Sequence, residues 1–186
     1  MIIGLCGPEG AGKSTVAKLL RSMYGCDIKP LAGPLKRMLL AMGVPKRNLY
    51  GSTADKAEPL DILRGKSARE AMQLLGTEWG RQMISNDLWL NAWRSSLGEE
   101  PHVIADDVRF SGEAQAIHDL GGVLICIVRS MDDFNRIPRH ASEAFGSLQY
   151  DALVINDGTK KQLASNLQAS LLTLQGKASS NISVTA

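Results

Sequence analysis

Gly7-Pro8-Glu9-Gly10-Ala11-Gly12-Lys13-Ser14, followed by Thr15, matches the pattern G-x-x-x-x-G-K-[ST] of a phosphate-binding loop. Its flanks supply the setting the pattern needs. Upstream, Met1-Ile2-Ile3-Gly4-Leu5-Cys6 is an apolar run of the length of a buried strand. Downstream, Val16, Leu19, Leu20 and Met23 recur at the spacing of one helical face. Strand, bend and helix in that order gather backbone N–H groups and the positive end of a helix around one point, a cradle for an anion. Gly7, Gly10 and Gly12 permit the tight bend, with Ala11 inside it. Lys13 can reach terminal phosphates, and the Ser14 hydroxyl can ligate Mg²⁺.

A chain of 186 residues fits one domain, or a core with an inserted subdomain, and its apolar fraction of 44% suffices for a sizeable core. A net charge of +2 implies no polybasic surface for duplex nucleic acid or a membrane. No run reaches transmembrane length, and the N-terminus reads as a core strand rather than a signal peptide. Cys6, Cys26 and Cys126 form no C-x-x-C pair and read as small buried side chains in a reducing cytoplasm, not as a metal site or disulfide framework.

Beyond the first helix, Cys26-Asp27-Ile28-Lys29 has the character of a short second strand. Pro34 opens a helix carrying Leu35, Met38, Leu39 and Met42, with Gly43 as its stop. Residues 44–66 hold Pro45, Gly51, Pro59 and Gly65 among many charges and predict an irregular connection. Ser67-Ala68-Arg69-Glu70 is a capping box for a helix expected to run to Leu75 and stop at Gly76. Trp89, Ala92, Trp93 and Leu97 share a later helical face. His102-Val103-Ile104-Ala105-Asp106-Asp107 then predicts a strand ending in two carboxylates, and a helix follows over 112–120. Residues 123–128 and 152–155 are further strands, and Leu163, Leu167, Leu171 and Leu174 mark a last helix. Apolar strands alternating with helices predict a three-layer α/β/α fold with a parallel sheet covered on both faces. The helical stretch 34–97 interrupts that alternation as an insertion into a core of 1–33 and 98–175. Residues 176–186 are Ser-rich without periodicity and read as a disordered tail.

Asp106 and Asp107 end a strand expected beside the loop strand, where a carboxylate can hold Mg²⁺ through its water shell. Which of the two does so depends on strand register, which is open at this point; Asp106 is assigned to the metal and Asp107 to the acceptor side. Arg109 follows at the carboxyl edge of the sheet, where its planar fork can take a phosphate with two hydrogen bonds. Residues 129–143 carry Arg129, Arg136 and Arg139, suited to a lid that neutralises a transferring phosphoryl group. The same stretch, taken bare, is a solvated charge run. Gln73-Leu74-Leu75-Gly76-Thr77-Glu78-Trp79-Gly80-Arg81 offers backbone donors, a hydroxyl and a guanidinium for a polar ligand. Trp79, Trp89 and Trp93 are either a stacking wall for a base or, as helical spacing favours, core.

Taken together, these segments resemble the phage-type deoxynucleoside monophosphate kinases within the P-loop nucleoside monophosphate kinase superfamily. The resemblance rests on residues 7–15, Ala32-Gly33-Pro34-Leu35-Lys36, residues 74–81, Asp106-Asp107-Val108-Arg109-Phe110 with Glu113-Ala114, and His140-Ala141-Ser142-Glu143. It implies a five-stranded parallel sheet, a helical monophosphate-binding insertion at 34–97 and an arginine lid at about 129–143. It also implies ATP and Mg²⁺ with a deoxynucleoside monophosphate as acceptor. Lys13, Ser14 and Thr15 would serve ATP and Mg²⁺. Arg109, Lys36, Thr77, Glu78, Trp79 and Arg81 would serve the acceptor, with His140, Ser142 and Glu143 near it. The expected partner is then that small molecule, with no polynucleotide and no membrane, while a homodimer stays open. The expected location is the cytoplasm, of a host if a phage encodes the chain.

The inventory suits transfer to a phosphate, because a monophosphate is already an anionic nucleophile and requires no general base. What it requires is alignment of two polyanions and neutralisation of spreading charge. Competing expectations are a kinase of another small phosphorylated acceptor, such as phosphomevalonate, and a nucleotide-dependent switch ATPase.

Overall fold

The computed structural model describes residues 1–99, 102–132 and 147–182. Its strands are β1 (Ile2–Cys6), β2 (Asp27–Ile28), β3 (Val103–Ala105), β4 (Val123–Val128) and β5 (Ala152–Ile155). Its α-helices are α1 (Lys13–Tyr24), α2 (Gly33–Ala41), α3 (Lys46–Tyr50), α4 (Thr53–Ala57), α5 (Ala68–Gln73), α6 (Leu88–Arg94), α7 (Ser111–Asp119) and α8 (Lys160–Ile182). The last of these continues through Gly176, beyond the leucines that mark it in the sequence. The chain forms two compact units, Met1–Pro30 with Glu99–Ala186, and Leu31–Gly98.

In the first unit the apolar runs pair into one five-stranded sheet of order β2-β3-β1-β4-β5, every pairing parallel. β1 is central: Ile3 faces Ile104 of β3 on one side and Val123 of β4 on the other. The strands are apolar throughout because both faces are covered. On one face Ile3, Leu5, Ile125 and Ile127 pack against Val16 and Leu20 of α1 and Leu163 and Leu167 of α8. On the other, a Cβ on Gly4 would lie 2.8 Å from Leu124 and 3.3 Å from Ile117 of α7, so the absence of a side chain lets α7 approach. The sheet order reverses beside β1, and in such folds ligands bind past the carboxyl ends of the strands at that point. β3 is shorter than predicted. It stops at Ala105, leaving Asp106 and Asp107 in the turn beyond the sheet edge.

The second unit has its own core of Leu39, Val44, Leu49, Ala68 and Ala71. The stretch 44–66 is not irregular, as its composition predicts, but holds α3, α4, a 3₁₀ turn (Asp61–Leu63) and an antiparallel bridge from Pro59 to Ser67. Five-residue helices are too short to display a periodicity, and side chains order them instead. Buried Asn48 donates to the Asp55 carbonyl (2.7 Å) and to Glu58 (3.0 Å), and Arg47 grips Glu58 with bonds of 2.7 and 2.6 Å. The capping box at α5 forms as predicted: Glu70 N donates to Ser67 Oγ (3.2 Å), and Ser67 N donates to Glu70 (2.8 Å). Gly76 does not stop that helix. From Leu74 to Ile84 the chain continues as a wider π-helix, whose i→i+5 pattern is seen where Ser85 N donates to Gly80 O (3.0 Å). The Gly76 carbonyl instead accepts from the Trp89 indole (2.8 Å) and from Arg81 (3.4 Å).

Candidate active site

The loop between β1 and α1 is bent at Gly7, Gly10 and Gly12, with φ of 128°, 80° and 101°. Gly12 closes the bend as the residue before the helix, its carbonyl accepting from Thr15 N (2.9 Å) and Val16 N (3.0 Å). No side chain caps α1 and its first turn carries no acid, so its positive end is left to a ligand. Lys13 folds back along the loop, its ammonium donating to Gly7 O (2.7 Å) and Pro8 O (2.8 Å). Burial lowers the Lys13 pKa from 10.5 to about 8, and the nearby Arg109 guanidinium pushes the same way. Asp106 and Asp107 oppose that shift, so two cations and two carboxylates share the field around the loop.

The carboxyl end of each neighbouring strand contributes a part. Past β3, Ser14 Oγ stands 3.5 Å from Asp106 Oδ2, while Asp107 is half-buried beside it. The turn carrying Arg109 is pinned at two points. Val108 N donates to Leu5 O (3.1 Å), and the buried Glu113 carboxylate accepts from Arg109 N (2.8 Å) and Phe110 N (3.2 Å). Past β4, exposed Arg129 leans on the loop, donating from Nε to Gly10 O (3.2 Å) and from its guanidinium tip to Asn156 O (3.3 Å). Past β5, buried Asn156 donates from Nδ2 to Ala11 O (2.8 Å). Hard oxygen donors at Ser14 and Asp106 suit Mg²⁺, which takes one or two carboxylates and completes its shell with water and phosphate. Arg136, Arg139, His140, Ser142 and Glu143 lie outside the described residues.

The second unit carries the other candidates. Lys36 on α2 stands over the ring of Tyr50, 5.2 Å from its centroid. Thr77, Glu78, Trp79 and Arg81 all lie on the π-helix, a form that recurs at functional sites. Trp89 and Trp93 belong to the core, as their helical spacing suggests, whereas Trp79 is 36% exposed and meets the Trp89 ring at 6.2 Å and 44°. Gly80 makes that packing possible, since a Cβ there would sit 2.7 Å from Trp89 ring carbons.

A profile described as deoxynucleotide monophosphate kinase matches residues 55–167. A protein of Acanthamoeba polyphaga mimivirus, named as a candidate deoxynucleotide monophosphate kinase, is 31% identical over 189 aligned residues, covering 90% of this chain and 94% of the relative. The chain belongs to the deoxynucleotide monophosphate kinase family. The deoxynucleoside-5'-monophosphate kinase of Escherichia phage T5 is 32% identical over 85 residues, 42% of this chain and 34% of the phage protein. For a member of this kinase family, three side chains at the candidate sites received no role from the sequence: Glu113, Asn156 and Tyr50. Glu113 stood in a motif without a task, Tyr50 in a stretch read as irregular. Asn156 had one usable signal, its place directly after a predicted strand.

Proposed function

We propose that the protein transfers the γ-phosphoryl group of ATP to a deoxynucleoside monophosphate, with Mg²⁺, giving ADP and the deoxynucleoside diphosphate. The observation that carries this reading is the meeting of Lys13, Arg109 and the Asp106–Asp107 pair at the uncapped start of α1, in a chain of this family. The loop N–H groups and Lys13 hold the triphosphate, and Arg109 and Arg129 neutralise charge that spreads during transfer. An oxygen of the acceptor phosphate forms the new bond to the γ-phosphorus while the bond to the β–γ bridging oxygen breaks, and ADP leaves. No proton need be removed from the acceptor, because a monophosphate is already an anionic nucleophile. Ser14 and Asp106 would hold Mg²⁺, which would supply neutralisation of the phosphate charge. Lys36, Thr77, Glu78, Trp79, Arg81 and Asp107 are the residues that recognise the acceptor in this reading.

A coupled ADP-release assay across all deoxy- and ribonucleoside monophosphates, with phosphomevalonate included, tests the reading. Acceleration by at least one deoxynucleoside monophosphate and none by phosphomevalonate is expected. ADP release indifferent to every acceptor would replace the kinase with a switch ATPase.

A further inference from the structure

Asn156 is the residue past β5 at which a fourth strand end reaches the phosphate loop. Its own N–H donates to Val128 O (2.7 Å), which fixes it at the end of β4, and the residue is 6% exposed. From there Nδ2 donates to Ala11 O at 2.8 Å. The amide lies so close to Gly12 that a Cβ on Gly12 would collide with Nδ2, so the two residues specify one another. Arg129 reinforces the arrangement by taking the preceding loop carbonyl, Gly10 O, and the carbonyl of Asn156 itself.

Peptide geometry gives this contact a consequence. The chain has no cis peptide among the described residues, and in a trans peptide the C=O and the following N–H lie in one plane and point in opposite directions. Holding Ala11 O toward Asn156 therefore directs Gly12 N–H away from Asn156. We propose that Asn156 is a positioning residue for the donor nucleotide, its amide orienting the Ala11–Gly12 peptide so that Gly12 N–H faces the triphosphate. The proposal rests on the reading that residues 7–15 bind the phosphates of ATP. A neutral amide is the apt group. It donates to the carbonyl without setting a negative charge behind a site for a polyanion, whereas a carboxylate would lose the donor and add that charge.

Asn156→Ala and the isosteric Asn156→Asp are compared with the unaltered full chain. The Mg·ATP dissociation constant is read by displacement of a fluorescent ATP analogue, KM for ATP and acceptor by the coupled assay, and folding by circular dichroism. Loss of one buried hydrogen bond predicts that Asn156→Ala weakens ATP about ten-fold, with the acceptor KM within about two-fold. Asn156→Asp is expected to weaken ATP further, and to recover part of the loss as pH falls, because burial raises its carboxyl pKa and the protonated form can donate. A residue that only stabilises the fold gives no such recovery. Unchanged ATP affinity in both folded variants overturns the proposal and leaves the kinase reading intact. Equal rises in both KM values, or loss of folding in both variants, assign Asn156 to general stability and overturn it too. Failure of the unaltered chain to bind Mg·ATP overturns the kinase reading itself and this inference with it.

Discussion

Lys13 holds its charge at a cost, and that cost makes its role measurable. Its ammonium is partly buried and stands near Arg109, so its pKa falls from 10.5 to about 8. A triphosphate favours the protonated form, so ATP affinity should be highest below that value and fall as pH rises through it, by about ten-fold per pH unit well above it. Titration calorimetry of Mg·ATP across that range, in buffers of different ionisation enthalpy, should show proton uptake growing above pH 8. Affinity flat across the range would contradict it. The folding equilibrium has the opposite sense. Between about 8 and 10.5 the unfolded chain holds the Lys13 proton and the folded chain has lost it, so the contribution of this group to stability rises with pH there. Lys13→Ala removes both the transferred-charge contact and the partly buried ammonium. It should cut turnover by about 10²–10³-fold, while melting shifts by no more than about 2–4 °C, the shift for about 1 kcal/mol in a chain of 186 residues. Normal turnover in the folded variant would remove Lys13 from the chemistry. The residue types of the loop were legible because G-x-x-x-x-G-K-S encodes its own geometry. The partner of Ala11 O was not, because Asn156 is 145 positions away in the chain.

The π-helix from Leu74 to Ile84 is the element whose sequence and shape diverge most. Gly76 reads as a helix stop, yet it and Gly80 both lie inside the continuous turn. Their task is close approach: Gly76 O receives the Trp89 indole, and Gly80 leaves room for its ring. A pattern of 3.6-residue period has no template for a wider turn, so residues 74–81 stand out in the sequence as a cluster of polar types but not as one helix. Gly80→Ala should force the Trp89 ring or the wide turn to move, at a cost of about 1–3 kcal/mol. Urea unfolding measures it, and an unchanged midpoint would show that the Trp89 contact is not tight. The capping box before it was legible because Ser67 and Glu70 are three residues apart and satisfy each other locally. In α3 and α4 the ordering bonds join Asn48 to Asp55 and Arg47 to Glu58, across spacings no local pattern marks, so the stretch reads as irregular when the sequence is taken alone.

Across the whole chain, the parallel sheet followed from strand runs that are apolar on both faces, and the pairing of β3 beside β1 followed from the carboxylates that end it. The order β2-β3-β1-β4-β5 is a different kind of information. It brings Asp106, Arg129 and Asn156 to the edge where Gly12 ends the bend, and no local pattern records it. The same sheet edge explains why the turn after β3 matters more than the strand itself, which stops at Ala105 and frees both carboxylates from the ladder. Phosphorus NMR of the full chain with ATP, Mg²⁺ and a deoxynucleoside monophosphate tests the central claim most directly. The expected spectrum gains the β-phosphate of the deoxynucleoside diphosphate in step with ADP, one for one, and only when the monophosphate is present. ADP accumulating with inorganic phosphate instead, at a rate the monophosphate does not alter, would contradict it.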